Sequence, residues 1–261
     1  MRHFIKSAFS LFGLEIRLVK NIARARAKQK HDDLVQRWKL LQRYQPNTIL
    51  DIGANTGQCA ALLREAFPGR TIYSFEPLAD CFQQVDRFLN ENGPGKAYPF
   101  ALGECDGEET INRNRFTPSS SILPMQDLHR TEFPQTVESS PETIQIRRLD
   151  NLADELNLNV PLLIKADVQG YEDRVIRGGI ETFRKASAVV LELSTYPLYE
   201  GQALFPEILE QLSELGFAFR GVIDQTPSSI DGRILQFDGL FENENVCCDT
   251  ADELQEAVGE G

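Results

Sequence analysis

The stretch Thr48-Ile49-Leu50-Asp51-Ile52-Gly53-Ala54-Asn55-Thr56-Gly57 decides the fold. Its first five residues form an apolar run of the length and composition of a strand buried on both faces. The glycines that follow let the backbone turn sharply and pass close to a ligand, and Gln58–Ala66 then has a helical pattern with its first N–H groups free. Downstream the same rhythm repeats: strand Thr71–Phe75, helix Leu78–Asn90, strand Ala97–Leu102. After a break it resumes with helix Asp150–Leu156, strand Pro161–Ala166, helix Tyr171–Gly178, strand Ala188–Leu193 and helix Phe205–Leu215. Such alternation implies right-handed crossovers and a doubly wound, Rossmann-like α/β sheet, mostly parallel, with helices on both faces. Phe217–Ile223 and Ile234–Phe241 close it as an antiparallel pair. The break, 107–147, holds a turn at Asp106-Gly107, strands Glu109–Ile111 and Thr143–Arg147, and a polar Pro/Ser-rich loop at 113–141. Loops of that length in compact domains are often lids, so 113–141 is expected to cover an acceptor site.

Upstream of Thr48 the composition changes. Residues 1–48 hold eleven Lys/Arg and three Asp/Glu, a net of +8, within a chain whose formal total is −12; the rest therefore carries −20. Phe4, Ile5, Ala8, Phe9, Phe12, Ile16, Val19 and Ile22 recur at helical steps among basic residues, so the segment reads as a basic amphipathic helix. Leu34, Trp38 and Leu41 continue a helical pattern that ends before Pro46. The expected organisation is a basic helical extension over 1–47, a catalytic domain over 48–245 and an acidic tail over 246–261. With 41% hydrophobic and 25% charged residues, disorder and a polytopic membrane protein are excluded. The acidity argues against nucleic acid as a partner. Cys59, Cys81, Cys105, Cys247 and Cys248 are odd in number and include no CxxC, as expected of reduced thiols in a cytoplasmic protein. No signal peptide is read.

Two acids bracket the glycine turn. Asp51 sits at the end of the first strand, where it suits a cationic ligand and repels a pyrophosphate. Glu76, in Phe75-Glu76-Pro77, ends the second strand, where α/β nucleotide sites place a carboxylate for ribose hydroxyls. The glycine pattern is D-x-G-x-x-x-G rather than the dinucleotide G-x-G-x-x-G, with Ala60 where a third glycine would stand. A ligand with a ribose and a positive charge but no phosphates is S-adenosylmethionine. At the end of a later strand, Asp167 faces the same crevice, as does Glu192 after the next; either carboxylate, or His129 in the 113–141 loop, could take a proton from an acceptor hydroxyl. For Asp167, helix capping is an equal alternative, and a loop histidine is more often solvated. Asp167 with Glu192 could ligate a divalent metal, but no compact acidic cluster supports one, and none is expected.

The ordered set Leu50–Gln58, Phe75-Glu76-Pro77, Ala101-Leu102-Gly103, Ser119-Ser120-Ser121, Leu149-Asp150, Lys165–Glu172 and Leu191-Glu192 resembles the FkbM-type methyltransferases. The resemblance covers about 49–195 and leaves the basic segment outside. It implies a class I S-adenosylmethionine-dependent fold that methylates a hydroxyl of a sugar, glycan or polyketide-type product. It also implies that Asp51, Gly53, Asn55, Gly57, Glu76, Ala101 and Leu102 bind the cofactor. Gln169 replaces a glutamate common in the family, which weakens any metal or base at that position. Two other readings are a nicotinamide-dependent oxidoreductase and a cofactor-binding protein without turnover. For residues 1–30, packing on the domain, a homodimer contact and a peripheral contact with the inner face of the membrane stay open.

Overall fold

The structure, a computed structural model, describes residues 22–152 and 155–246. It opens in a helix, 22–39 (α1), extended by the 3-10 turn Leu40–Tyr44. Strand Thr48–Ile52 (β1) is buried throughout. It leads into Gln58–Ala66 (α2), followed by Thr71–Phe75 (β2), Ala79–Asn92 (α3) and Gly95–Tyr98 (β3). Then come Ala101–Leu102 (β4), Gly107–Asn114 (β5), Asp127–Glu132 (α4) and Ser139–Arg147 (β6). The second half runs through Leu162–Ala166 (β7), Glu172–Gly178 (α5), Ile180–Arg184 (α6) and Ala186–Ser194 (β8). It ends with Phe205–Glu214 (α7), Phe217–Pro227 (β9) and Ile234–Asn243 (β10).

The main sheet has the order β3-β2-β1-β7-β8-β10-β9, with β10 antiparallel to both of its neighbours. The order therefore turns round between β1 and β7. The crossovers leave those two strands towards opposite edges, so their C-terminal ends flank an open crevice, the usual ligand position in such sheets. The parallel register sets Asp51 beside Ser74 on one side and Lys165 on the other.

Apolar side chains fill both faces. On one, Leu50, Ile52, Ile164, Val189 and Leu191 pack under Val175, Phe183, Ile208 and Leu212 of the later helices. On the other, Ile49, Ile72, Leu163 and Val190 meet Leu63, Val85 and Leu89, together with Trp38, Leu41 and Tyr44. The end of α1 and its 3-10 turn thus belong to the same core as β1, although they precede it in a stretch of opposite charge.

Three expectations are corrected. The single strand expected over 97–102 is two strands in different sheets, β3 in the main one and β4 in a small sheet of order β4-β6-β5. Pro99, which has no N–H to give a ladder, lies between them. The 113–141 loop is shorter and more ordered than expected: β5 runs to Asn114, β6 starts at Ser139, and α4 and two 3-10 turns lie between. The outer half of β5 is exposed and polar, so it lacks the apolar alternation that marks a strand. In place of the helix expected over 150–156, the described residues show the 3-10 turn Asp150–Leu152. The amphipathic reading of the first 21 residues, the Cys247-Cys248 pair and the acidic tail beyond 246 lie outside the described residues. Among the described residues no helix is long and apolar enough to cross a membrane.

Candidate active site

A cavity of about 280 Å³ occupies the crevice. Its floor is the β1–α2 turn. Gly53 and Ala54 donate their N–H groups to the Phe75 carbonyl at 3.0 and 3.1 Å, pinning the turn to the end of β2. Gly53 stands at φ +79, and a Cβ there would lie 1.9 Å from the Asp167 carbonyl oxygen; no other residue fits between the two strand ends. Gly57, at φ +90, starts α2 and packs on Val85 rather than facing the cavity.

Glu76 lines the wall while only 4% exposed. Its Oε1 accepts from the Leu78 N–H and its Oε2 from the Asn55 N–H, both at 2.8 Å. Asn55 is itself in the left-handed region at φ +47. Burial pushes the Glu76 carboxyl up to about 7, with the two backbone N–H groups opposing the shift. Leu78, Ala101, Leu102, Ile111 and Ile144 make an apolar wall next to it. A hydroxyl-accepting carboxylate beside an apolar slot fits the ribose and purine of an adenosine. Lys165 is the one cation among the lining residues, and it is paired with Asp167 at 3.5 Å rather than facing the cavity as an unpaired charge.

Asp51 does not reach the cavity wall. It is fully buried beneath it, with Oδ2 accepting from the Ser74 hydroxyl at 3.1 Å and Oδ1 without a hydrogen-bond partner. Burial raises its pKa, while Lys165 and Ser74 pull it back.

The structure links the two proposed acids through one amide, but Asp167 lines the cavity and Glu192, expected to face the same crevice, does not. Asp167 lines the cavity just beyond β7, its N–H bonded to the Ile52 carbonyl at 3.0 Å. The Gln169 amide nitrogen donates to Asp167 Oδ1 at 2.8 Å and to Glu192 Oε2 at 2.7 Å. Gln236 adds a second donor to Glu192 Oε2 at 2.8 Å. Burial first, then the carboxylates of Asp167, Asp238 and Glu172, push Glu192 well above the usual carboxylate range. His129 is not solvated: it is 2% exposed, its Nε2 lies 3.1 Å from the Tyr199 hydroxyl and its Nδ1 3.2 Å from that of Thr136. Burial lowers its pKa to about 4. It does not line the cavity and touches the acids only through Tyr199 and Gln169.

Gln169, Tyr199 and Gln236 are the residues that sequence reasoning missed. Tyr199 stands thirty positions from its partner Gln169, and no local pattern announces the contact. The 113–141 segment closes one wall, with the Thr117 hydroxyl donating to Asn55 Oδ1 at 3.2 Å and the Ser121 hydroxyl to the Gln169 carbonyl at 2.6 Å. Among the described residues no three His, Cys, Asp or Glu side chains converge as metal ligands.

The strand order, with its last strand inserted antiparallel, and a phosphate-free nucleoside cavity at the switch point define a class I methyltransferase that uses S-adenosylmethionine. Residues 51–219 match the Methyltransferase FkbM domain, and the chain belongs to that family. It is 31% identical over 210 residues, 75% of this chain and 81% of the relative, to the 2-O-methyltransferase NoeI of Sinorhizobium fredii. It is 24% identical to the hexuronic acid methyltransferase AglP of Haloferax volcanii, over 68% of each chain. A Beauveria bassiana protein called Methyltransferase 1 is 28% identical over 50% of this chain and 57% of its own. The oxidoreductase reading is thereby set aside.

Proposed function

We propose that the acceptor is a hydroxyl of a sugar or glycan and that Asp167 takes its proton. One observation carries the reading: Asp167 is a carboxylate on the cavity wall at the end of β7, against the cofactor turn at Gly53. The names of the relatives NoeI and AglP support a sugar acceptor. Bound S-adenosylmethionine supplies a sulfonium-activated methyl group, so the new oxygen–carbon bond forms as the sulfur–carbon bond breaks. The chain's task is alignment and removal of one proton. Glu76 and the apolar wall hold the adenosine, Asp51 contributes negative charge from below, and Asp167 accepts the hydroxyl proton. Glu192, whose surroundings favour its protonated form, stands behind the cavity wall and acts on the acceptor end through Gln169. Residues 48–245 act as the catalytic unit, with 113–141 as its cover and 246–261 taking no part in the reaction. Residues 1–30 serve contact with a second copy or a membrane face; the exposure of Arg24, Arg26, Lys28 and Lys30 supports this.

The test is incubation with labelled methyl donor and a panel of oligosaccharides. A methyl ether is the expected product, and Asp167→Asn should lower turnover by about 10²- to 10⁴-fold. Transfer to an amine only, or full activity of the variant, overturns the reading.

A further inference from the structure

We propose that Gln169 is the positioning residue of the acceptor end: its side-chain amide fixes the Asp167 and Glu192 carboxylates against each other, and Tyr199 fixes the amide. The proposal rests on the reading of Asp167 as the proton acceptor. Gln169 follows β7 by three positions and stands at φ +54, a conformation that residues with a side chain rarely adopt. From there its Nε2, with two hydrogens, serves both carboxylates, and its Oε1 accepts from the Tyr199 hydroxyl at 2.7 Å.

Asp167 Oδ1 accepts from the amide, and Glu192 Oε2 already accepts from Gln236, so a proton on Glu192 sits on Oε1; this sets the direction of the bonds behind them. The amide must donate towards them, so Oε1 accepts from Tyr199. The Tyr199 hydroxyl, having given its one hydrogen, must accept from His129 Nε2–H, which leaves Nδ1 as the acceptor of the neutral ring, facing a Thr136 hydroxyl that also donates to the Phe133 carbonyl at 2.7 Å. Neutral His129, with its lowered pKa, supplies one donor and one acceptor as this order requires. Turning the amide over would set Oε1 against Asp167 Oδ1 and Glu192 Oε2, both acceptors. From the acids to His129 Nε2 the network admits one arrangement, and it is held from α4 by a buried side chain that does not line the cavity.

A glutamate in place of Gln169 cannot do this. Ionised, it adds a carboxylate facing two others; protonated, it has one hydrogen for two acceptors. The charge balance around Asp167 is already narrow. It is faced by Lys165 on its own strand, Asp51 on β1, Cys59 on α2 and Glu172 on α5. Glu192 on β8, Asp238 on β10 and Tyr199 beyond β8 face it from the other side. Lys165 is the single cation of that group.

The experiment compares wild type, Gln169→Glu and Tyr199→Phe in the full chain. For Gln169→Glu, kcat at neutral pH should fall about tenfold. The acid limb of its pH–rate profile should move up by about one unit. Affinity for S-adenosylhomocysteine should stay within about twofold, because the adenosine contacts are elsewhere. Tyr199→Phe, which frees the amide while preserving ring packing, should lower kcat with KM unchanged. Carbon NMR of the side-chain carboxyls, recorded without acceptor, should show the Glu192 midpoint moving up in Gln169→Glu. If that midpoint moves while wild type makes no methyl ether, the positioning role stands and the hydroxyl reading falls. An unshifted pH profile with unmoved carboxyl signals overturns the proposal.

Discussion

Glu76 is a buried carboxyl on the cavity wall, and its proposed partner is the ribose of the cofactor. Buried at the end of β2, it is held by two backbone N–H groups and raised from 4.5 to about 7 by desolvation. Ribose hydroxyls donate to the ionised form, so binding should draw the proton off. Affinity for S-adenosylhomocysteine should therefore rise roughly fivefold between pH 6 and pH 8. Glu76→Gln should bind more weakly and without that slope, which calorimetry at several pH values would read directly. A slope unchanged in the variant would remove Glu76 from the ribose. Glu76 was legible in the sequence because its station follows from strand length and turn alone. Asp51 was only half legible: its place at a strand end was read correctly, but the residue faces inward beside Ser74 and Lys165, and facing depends on the sheet's register. Gln169 was read only as a replaced family glutamate that weakens a metal or base there, since its two carboxyl partners come together only across β7 and β8.

Among the elements, the apolar strands β1, β2, β7 and β8 and the helices α2 and α7 were readable within a residue or two. Their patterns are local consequences of burial on one or two faces. The small sheet was harder, because half of it is solvent-facing and its strands carry Ser, Glu, Asn and Arg. The ordering of α4 depends on contacts far away in the chain. Glu132, 7% exposed, accepts from the Ser228 hydroxyl at 2.6 Å, and from the Ser229 N–H and hydroxyl at 3.1 and 3.2 Å. The bridge Met125–Tyr199 ties the same segment to the loop after β8. Glu132→Ala leaves the buried Ser228 hydroxyl without its acceptor and should cost about 1–3 kcal/mol. Hydrogen exchange should then quicken over 123–136 while β1 and β7 stay protected. Equal loosening of the whole sheet would show that α4 is no separate cover.

For the whole molecule, the charge division of the sequence acquires a physical meaning at the crevice. Glu76 and Glu172, each 4% exposed, are both raised to about 7 by burial. Each keeps its proton in the folded state where the unfolded chain has lost it. Their stabilisation is full below about pH 4.5 and is lost as pH rises through about 7. His129 acts in the opposite sense, because its folded value of about 4 lies below its ordinary 6.5; its contribution grows with pH up to 6.5 and then is constant. Between pH 4.5 and 6.5 the two carboxyls outweigh the one imidazole, so stability to urea should peak near pH 4 to 5 and fall by roughly 2 kcal/mol between pH 6 and pH 8. A curve still rising at pH 8 would mean that these carboxyls ionise freely. By itself the sequence determined the sheet class and the family, because glycine turns, strand runs and terminal acids act through neighbours in the chain. The tertiary structure alone decided which acids face the cavity, where His129 points its nitrogens and what Gln169 holds. Those are contacts between strand ends and loops far apart in sequence, and only the packed sheet brings them within hydrogen-bond reach.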